Sequence, residues 1–518
     1  MYEPLSDSLR KIARGTGIAI VGILLGLLLQ FAARLIIARY STEANYGIFS
    51  LALAILNISL ILACLGLNYG ATRYIAYFRA KDDVVRVRGV ISAYLQLSTV
   101  TSLLIGIALF FGAKTIAINI FHTPDLIPAL RIFAIGLPFL TIIITFSDIF
   151  RGFDQVEPQA YFQYISLNIL FILLLLAVML LSDLTFVAVF YAYLAAVVLT
   201  FIATVIYATK KLPYPVIFVE KKPTPFIKRE LLTFSLPLLL TVGLVTVINW
   251  TDTLMLGYFK TPETVGLYQA ALPLAQFISM PMGALLLIYI PIATRLYSQN
   301  LLAELRRNYT VLTKWLTFLT LPAFLIFCLF PETVLNLFFG SAYSAASPAL
   351  RILPFGFMLN NLLGPNTATL IAMGRTRFVM WATLSVAMLN VALNIAFIPP
   401  LGIVGAAIAL AASYTLANAL VSIKLYSSCQ VQPLSGNLLK PLIACIVLTL
   451  LFQVIISNFL TITLWMLPLL FILYYSVYGI AAVLLRSFDK EDIALLLEIE
   501  RWSGINAAPL KKILSKFL

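Results

Sequence analysis

Charge, histidine and cysteine are all scarce in this chain. Only 11% of its 518 residues are charged, and His122 is its one histidine. A soluble domain carries about a quarter charged residues. A single imidazole in a short loop cannot build a histidine-based metal or acid-base centre. The four cysteines, Cys64, Cys328, Cys429 and Cys445, are scattered without metal-ligand or redox spacing. They read as small apolar filler. A glycine-rich phosphate loop, a Ser-His-Asp set and paired acids inside apolar runs are missing as well. ATP use, hydrolytic chemistry, a resident metal and a cofactor are therefore not expected, and the chain reads as something other than an enzyme.

What the chain has is apolar length. It is 62% hydrophobic, with a mean hydropathy of +1.01. A soluble core cannot hide that much apolar surface, so lipid must be the solvent. A spanning helix needs about 20 apolar residues. Fourteen segments qualify: 16–37, 46–69, 89–112, 130–149, 161–181 and 184–208; then 232–257, 265–290, 310–330, 350–373, 379–398 and 403–426; then 438–457 and 462–485. The first of these is too long for a signal-peptide core and reads as a spanning helix.

The two sets of six are copies. Pro128-Ala129-Leu130-Arg131-Ile132 returns as Pro348-Ala349-Leu350-Arg351-Ile352, and Ala71-Thr72-Arg73 returns as Ala293-Thr294-Arg295. Gly47 with Phe49 returns as Gly266 with Tyr268, and Asn168 returns as Asn390. The unit of about 220 residues is too long for a solenoid repeat. An even number of spans per copy makes the repeat parallel, with its axis along the membrane normal. The expected fold is thus an all-α polytopic membrane protein of 14 transmembrane helices. Two six-helix bundles, 1–208 and 232–426, are related by a pseudo-two-fold and joined by a cytoplasmic linker, 209–231. Helices 13 and 14 follow at 427–486, and a cytoplasmic amphipathic tail at 487–518.

The net charge of +14 is a topology signal here, not a sign of nucleic acid. Arg73, Arg79, Lys81, Arg86 and Arg88 follow helix 2, and Lys210, Lys211, Lys221, Lys222, Lys228 and Arg229 follow helix 6. The opposite loops hold only Arg39, Lys114 and Lys260. Both termini are therefore expected in the cytoplasm of a multi-pass cell-membrane protein.

Charges in or near spans are expensive and mark candidate sites. Arg34 ends helix 1 and Asp252 ends helix 7, nearly repeat-equivalent positions. They either form an outer gate as an ion pair, or Arg34 snorkels while Asp252 meets a local polar group. Arg73 and Arg295 end helices 2 and 8 on the cytoplasmic side, where two guanidinium groups suit a diphosphate or serve as positive-inside anchors. Arg131 and Arg351 start helices 4 and 10, against the helix dipole. Asp148, Arg151, Asp154 and Glu157 read as a solvated loop. Gln30, Asn57, Asn249, Gln276 and Asn360 either line a hydrated cavity or bond between helices.

Ala38-Arg39-Tyr40 with Tyr46-Gly47-Ile48-Phe49-Ser50-Leu51-Ala52 resembles the helix 1–2 signature of polysaccharide flippases. So does Thr251-Asp252-Thr253-Leu254-Met255-Leu256-Gly257-Tyr258-Phe259 with Val265-Gly266-Leu267-Tyr268, at helices 7–8. The chain resembles the O-antigen (polysaccharide) transporter family of the multidrug/oligosaccharidyl-lipid/polysaccharide flippase superfamily. Ser41-Thr42 departs from it, since the family usually has Leu-Gly there. The resemblance implies a monomeric flippase that moves a lipid-linked oligosaccharide of polyprenyl-diphosphate type from inner to outer leaflet by alternating access. It implies Arg39 and Asp252 as signature positions, Arg73 and Arg295 as diphosphate ligands, and helices 13–14 beside a groove for the lipid tail. Membrane lipids and glycan-assembly enzymes are the expected partners. A proton gradient, a sodium gradient and the membrane potential all stay open as driving forces. A multidrug or organic-cation antiporter of the same superfamily is the alternative.

Overall fold

The computed structural model describes residues 3–181, 186–212, 225–432, 436–459, 466–485 and 487. Its helices are α1 (Glu3–Tyr40), α2 (Glu43–Cys64), α3 (Leu67–Arg79), α4 (Val84–Thr115), α5 (Leu126–Gly152), α6 (Leu167–Leu181), α7 (Val187–Lys211), α8 (Pro225–Phe259) and α9 (Pro262–Gln276). There follow α10 (Met280–Ser298), α11 (Leu302–Leu329), α12 (Pro331–Phe338), α13 (Ser347–Leu362), α14 (Asn366–Ala372), α15 (Thr376–Leu401), α16 (Ile403–Cys429), α17 (Gly436–Phe459) and α18 (Met466–Leu484). Among the described residues there are no strands, and nine helical segments are long and apolar enough to cross a membrane. The tail from 488 onward and linker residues 213–224 lie outside the described residues.

Several expected spans are broken, each for a local reason. Helix 2 stops at Cys64 because Leu65 and Gly66 both take left-handed conformations. A side chain at Gly66 would also meet α8, with the Ser235 carbonyl oxygen 2.6 Å from its Cβ. Expected helix 10 is divided at Leu363-Gly364-Pro365 into α13 and α14, where proline has no N–H to continue the ladder. Expected helix 5 begins as a π-helical turn at Gln159–Ser166. The loop before residue 350 holds α12 and a 3₁₀ turn, Ser341–Ala346. Ser41-Thr42, the departure from the family pattern, caps α2: the Thr42 hydroxyl accepts from the Asn45 N–H at 3.3 Å. Glu43 adds a negative charge to the same first turn.

The chain forms two compact units, Met1–Gln269 and Ala270–Leu518. The division falls within α9, so α8, which the repeat assigns to the second bundle, groups with α1–α7. The reason is packing: α8 lies along α2, α3 and α4. In the first unit, Phe49, Phe133 and Phe190 form a buried aromatic knot with centroids 5.4–6.3 Å apart. Leu67, Ile75, Tyr94, Phe146 and Phe150 fill the other end.

The second unit packs Tyr289, Tyr309, Leu312, Leu316, Leu370 and Val421 in its core. Several of its buried polar groups pair with one another, which hydrocarbon favours. The Asn366 amide donates to the Asn418 side chain at 3.2 Å and to Ser422 at 2.9 Å. Helix α18 docks on α11 through the Phe318–Tyr478 stack at 4.8 Å and a bond from the Tyr475 hydroxyl to the Leu319 carbonyl at 3.1 Å. Lys314, buried in α11, donates to the Ser487 carbonyl at 3.3 Å.

Candidate functional site

Helices α2 and α9 cross at two glycines. A Cβ on Gly47 would stand 2.6 Å from the Pro262 carbonyl carbon and 3.0 Å from the Gly266 N. A Cβ on Gly266 would stand 2.9 Å from the Glu43 carbonyl carbon and 3.1 Å from the Gly47 N. The contact is reciprocal: each glycine meets the residue four positions before the other, at the repeat-related positions 43 and 262. Only glycine permits backbones this close. The Tyr46 hydroxyl fastens the crossing by donating to the Gln269 carbonyl at 3.1 Å.

Asp252 lies below this crossing on α8 and is buried. The Tyr268 hydroxyl donates to its carboxylate at 2.9 Å, and the Gln269 amide donates to the Thr253 hydroxyl at 2.5 Å. Arg34, half-buried on α1, acts electrostatically on the Tyr46 hydroxyl. The two sequence-derived gate residues thus each reach one of the tyrosines of the α2–α9 crossing. Arg39 is exposed in the last turn of α1.

At the far end of the first unit, Arg73 is exposed and its guanidinium stacks on Phe234 at 4.5 Å and Tyr74 at 5.6 Å. Arg295 is exposed in the last turn of α10, in the second unit. Arg131 and Arg351 are both exposed, and the Arg131 guanidinium lies over the Phe110 ring at 5.5 Å.

The expected polar set divides. Gln30, Asn249 and Gln276 are exposed on apolar helices, and Asn360 is half-buried. Asn57 instead spends its amide on the Leu53 carbonyl of its own helix, at 2.8 Å. Gln30 and Arg34 lie four residues apart, and Asn249 and Asp252 three apart, so each pair shares a helix face.

Asp148 corrects the reading of a solvated loop. Asp154 fits it, being exposed and ion-paired with Arg79. Asp148 is buried within α5. Its carboxylate accepts from the Tyr94 hydroxyl at 2.9 Å and pairs with Arg151 at 3.1 Å. The expected span ended at Ile149, so the carboxylate fell within it, but the charges that follow it gave the look of a loop. Lys314 carries the same signal inside the span 310–330, and both were missed because they sit near span ends or beside threonines. Among the described residues no cluster of three metal-ligating side chains occurs.

Rare charges held between long apolar helices, the pattern throughout the described residues, mark a polytopic membrane protein. The chain belongs to the polysaccharide biosynthesis protein family, which it matches over residues 12–297, more than half its length. This confirms the flippase branch of the superfamily that the helix 1–2 and 7–8 sequences resemble. The MatE family matches residues 237–396. An uncharacterized membrane protein of Methanocaldococcus jannaschii is 23% identical over 424 residues, 77% of this chain and 80% of its own. A probable low-salt glycan biosynthesis flippase of Haloferax volcanii, Agl15, is 28% identical over 171 residues, 32% of this chain and 36% of its own. Among solved structures, the lipid II flippase MurJ in an inward closed conformation superposes with a TM-score of 0.68 at 15% identity, over 89% of this chain and 97% of that one. An inward-facing multidrug MATE transporter gives 0.66 at 15% identity, over 80% and 98%. These likenesses establish the fold.

Proposed function

We propose that this protein flips a lipid-linked oligosaccharide of polyprenyl-diphosphate type from the inner to the outer leaflet of the cell membrane, for surface glycan assembly. The observation that carries the reading is the Arg73 guanidinium, exposed yet held over the Phe234 and Tyr74 rings. The rings position the cation without using up its N–H donors, which stay available for phosphate oxygens. Arg295, the repeat mate of Arg73, supplies the second guanidinium on the cytoplasmic side. Exposed Gln30, Asn249 and Gln276 on apolar helices are costly against lipid. They line a hydrated path for the sugars, while the polyprenyl tail stays in hydrocarbon beside α17 and α18.

Fourteen spans in two six-helix bundles plus a final pair, with both termini cytoplasmic, complete this picture. The α2–α9 crossing joins helices of the two copies and closes the outer side. Arg34 and Asp252 act on its tyrosines, so a rearrangement there opens the path outward. Rocking of the copies moves the glycan without ATP, drawing on an ion gradient or the membrane potential. The protein works as a monomer alongside glycan-assembly enzymes.

An organic-cation antiporter would need carboxylates open to a cation. Asp148 and Asp252 are instead buried and engaged by Arg151, Tyr94 and Tyr268. The test is reconstitution with a fluorescent lipid-linked oligosaccharide and a membrane-impermeant quencher. Transfer between leaflets that Arg73→Ala and Arg295→Ala both slow supports the reading. Unchanged transfer in both variants removes the diphosphate site from it.

A further inference from the structure

Asp148 and Asp252 are the two buried carboxylates among the described residues, and they are held differently. Asp252 accepts from the Tyr268 hydroxyl. Asp148 is in an ion pair whose two members are unequally buried: its own side chain is 4% exposed and that of Arg151 is 30% exposed. The carboxylate is fixed inside the α2–α5 packing, and the guanidinium stands at its edge. The same Nη2 atom of Arg151 also lies 3.4 Å from the Thr72 hydroxyl, beside Arg73 in α3.

We propose that Asp148 is a proton-binding site coupled to anion binding through Arg151. The inference rests on the diphosphate reading given above. When a diphosphate reaches the basic end of α3 and α5, Arg151 turns from Asp148 to a phosphate oxygen. No charge is created or destroyed by that exchange, but the carboxylate loses its cation. It then stays buried, with the Tyr94 hydroxyl as remaining donor. A buried carboxylate without a partner cation is neutralised most cheaply by a proton. One proton is taken from water as the ligand binds, onto the oxygen that Arg151 vacated. Release of the ligand returns Arg151 and expels the proton.

Among the described residues, the groups facing the carboxylate are these. From α4 the site receives Tyr94, from α2 the Cys64 thiol, and from the π-helical turn Tyr164; from α3 it receives the uncharged Thr72. Helix α7 presents Tyr207 to Phe150, 5.4 Å between centroids. Arg151 is the cation paired with the carboxylate.

The experiment is calorimetric titration of the purified full chain with a short-chain dialkyl diphosphate, whose own charge is constant across the pH range used. Runs in buffers of different ionisation enthalpy count the protons taken up. The expected result is an uptake approaching one proton per ligand and an affinity that falls up to about tenfold per pH unit as pH rises. Asp148→Asn, which keeps an acceptor for Tyr94, should bind with uptake near zero and a flat pH profile. Arg151→Gln should bind more weakly and also lose the uptake. Binding by the wild-type chain without proton uptake, or uptake that persists in Asp148→Asn, overturns the coupling while leaving the diphosphate reading intact. Absence of any diphosphate binding overturns both.

Discussion

Replacing Gly47 by alanine tests the α2–α9 crossing with a single methyl group. The new Cβ would sit 2.6 Å from the Pro262 carbonyl carbon. Carbon atoms in good contact are about 3.5–4.0 Å apart, and the Pro262 carbonyl oxygen lies nearer still, so the helices must move apart. Its nearest neighbours are backbone atoms of α9, which cannot turn aside as a side chain would. Overpacking of this kind costs about 1–3 kcal/mol, which shifts an equilibrium between closed and open crossings roughly 5- to 150-fold. The separation also stretches the Tyr46–Gln269 bond, now 3.1 Å. Gly266→Ala should do the same from the other side. The double variant should lose less than the sum, because the contact is already open after the first change. Gly112→Ala is the control: its Cβ would meet nothing nearer than the Ile116 Cδ1 at 3.8 Å. The assay is denaturant unfolding in mixed micelles beside the translocation rate in vesicles. If Gly47→Ala matches Gly112→Ala in both, the close crossing is not what holds these helices together.

Arg73→Ala should reduce translocation of a diphosphate lipid by roughly 10- to 150-fold, the loss of about 1.5–3 kcal/mol for a charged hydrogen bond; Arg73→Lys should recover only part, lacking the planar fork. A double-mutant cycle on Arg34→Ala and Asp252→Ala, read by translocation rate, should show coupling above about 0.5 kcal/mol through the Tyr46–Tyr268 crossing; additive losses would separate the two residues. Thr42→Ala removes the α2 cap and should lower unfolding stability by about 1 kcal/mol, measured by the same denaturant titration. Lys314→Ala should speed proteolytic release of the chain after α18, since the cation no longer holds the Ser487 carbonyl; an unchanged cleavage rate would mean that this bond does not anchor α18.

Hydropathy and repetition made the helical membrane fold legible, because lipid demands long apolar helices whatever their arrangement. The Gly47 and Gly266 pair was visible as a repeat match, but its meaning was not: that two copies of one glycine would touch each other is a fact of tertiary crossing. Leu65 and Gly66 break helix 2 through left-handed backbone, which apolar run length does not register. Asp148 was misread because four charges in ten residues look like a loop, whereas helix α5 continues to Gly152 and buries the first of them. Asn57 shows the opposite failure. A polar side chain in a span suggested a cavity, and its own helix backbone satisfied it.

The central claim is that the cargo is an anionic lipid-linked glycan. The direct measurement places purified protein in vesicles holding either a fluorescent lipid-linked oligosaccharide or a cationic dye, and follows leaflet exchange of the first and efflux of the second under the same imposed gradients. The account predicts that the glycan lipid reaches the opposite leaflet faster than in protein-free vesicles, with Arg73→Ala slowing it, and that the dye is retained. Efflux of the dye without movement of the glycan lipid would contradict it.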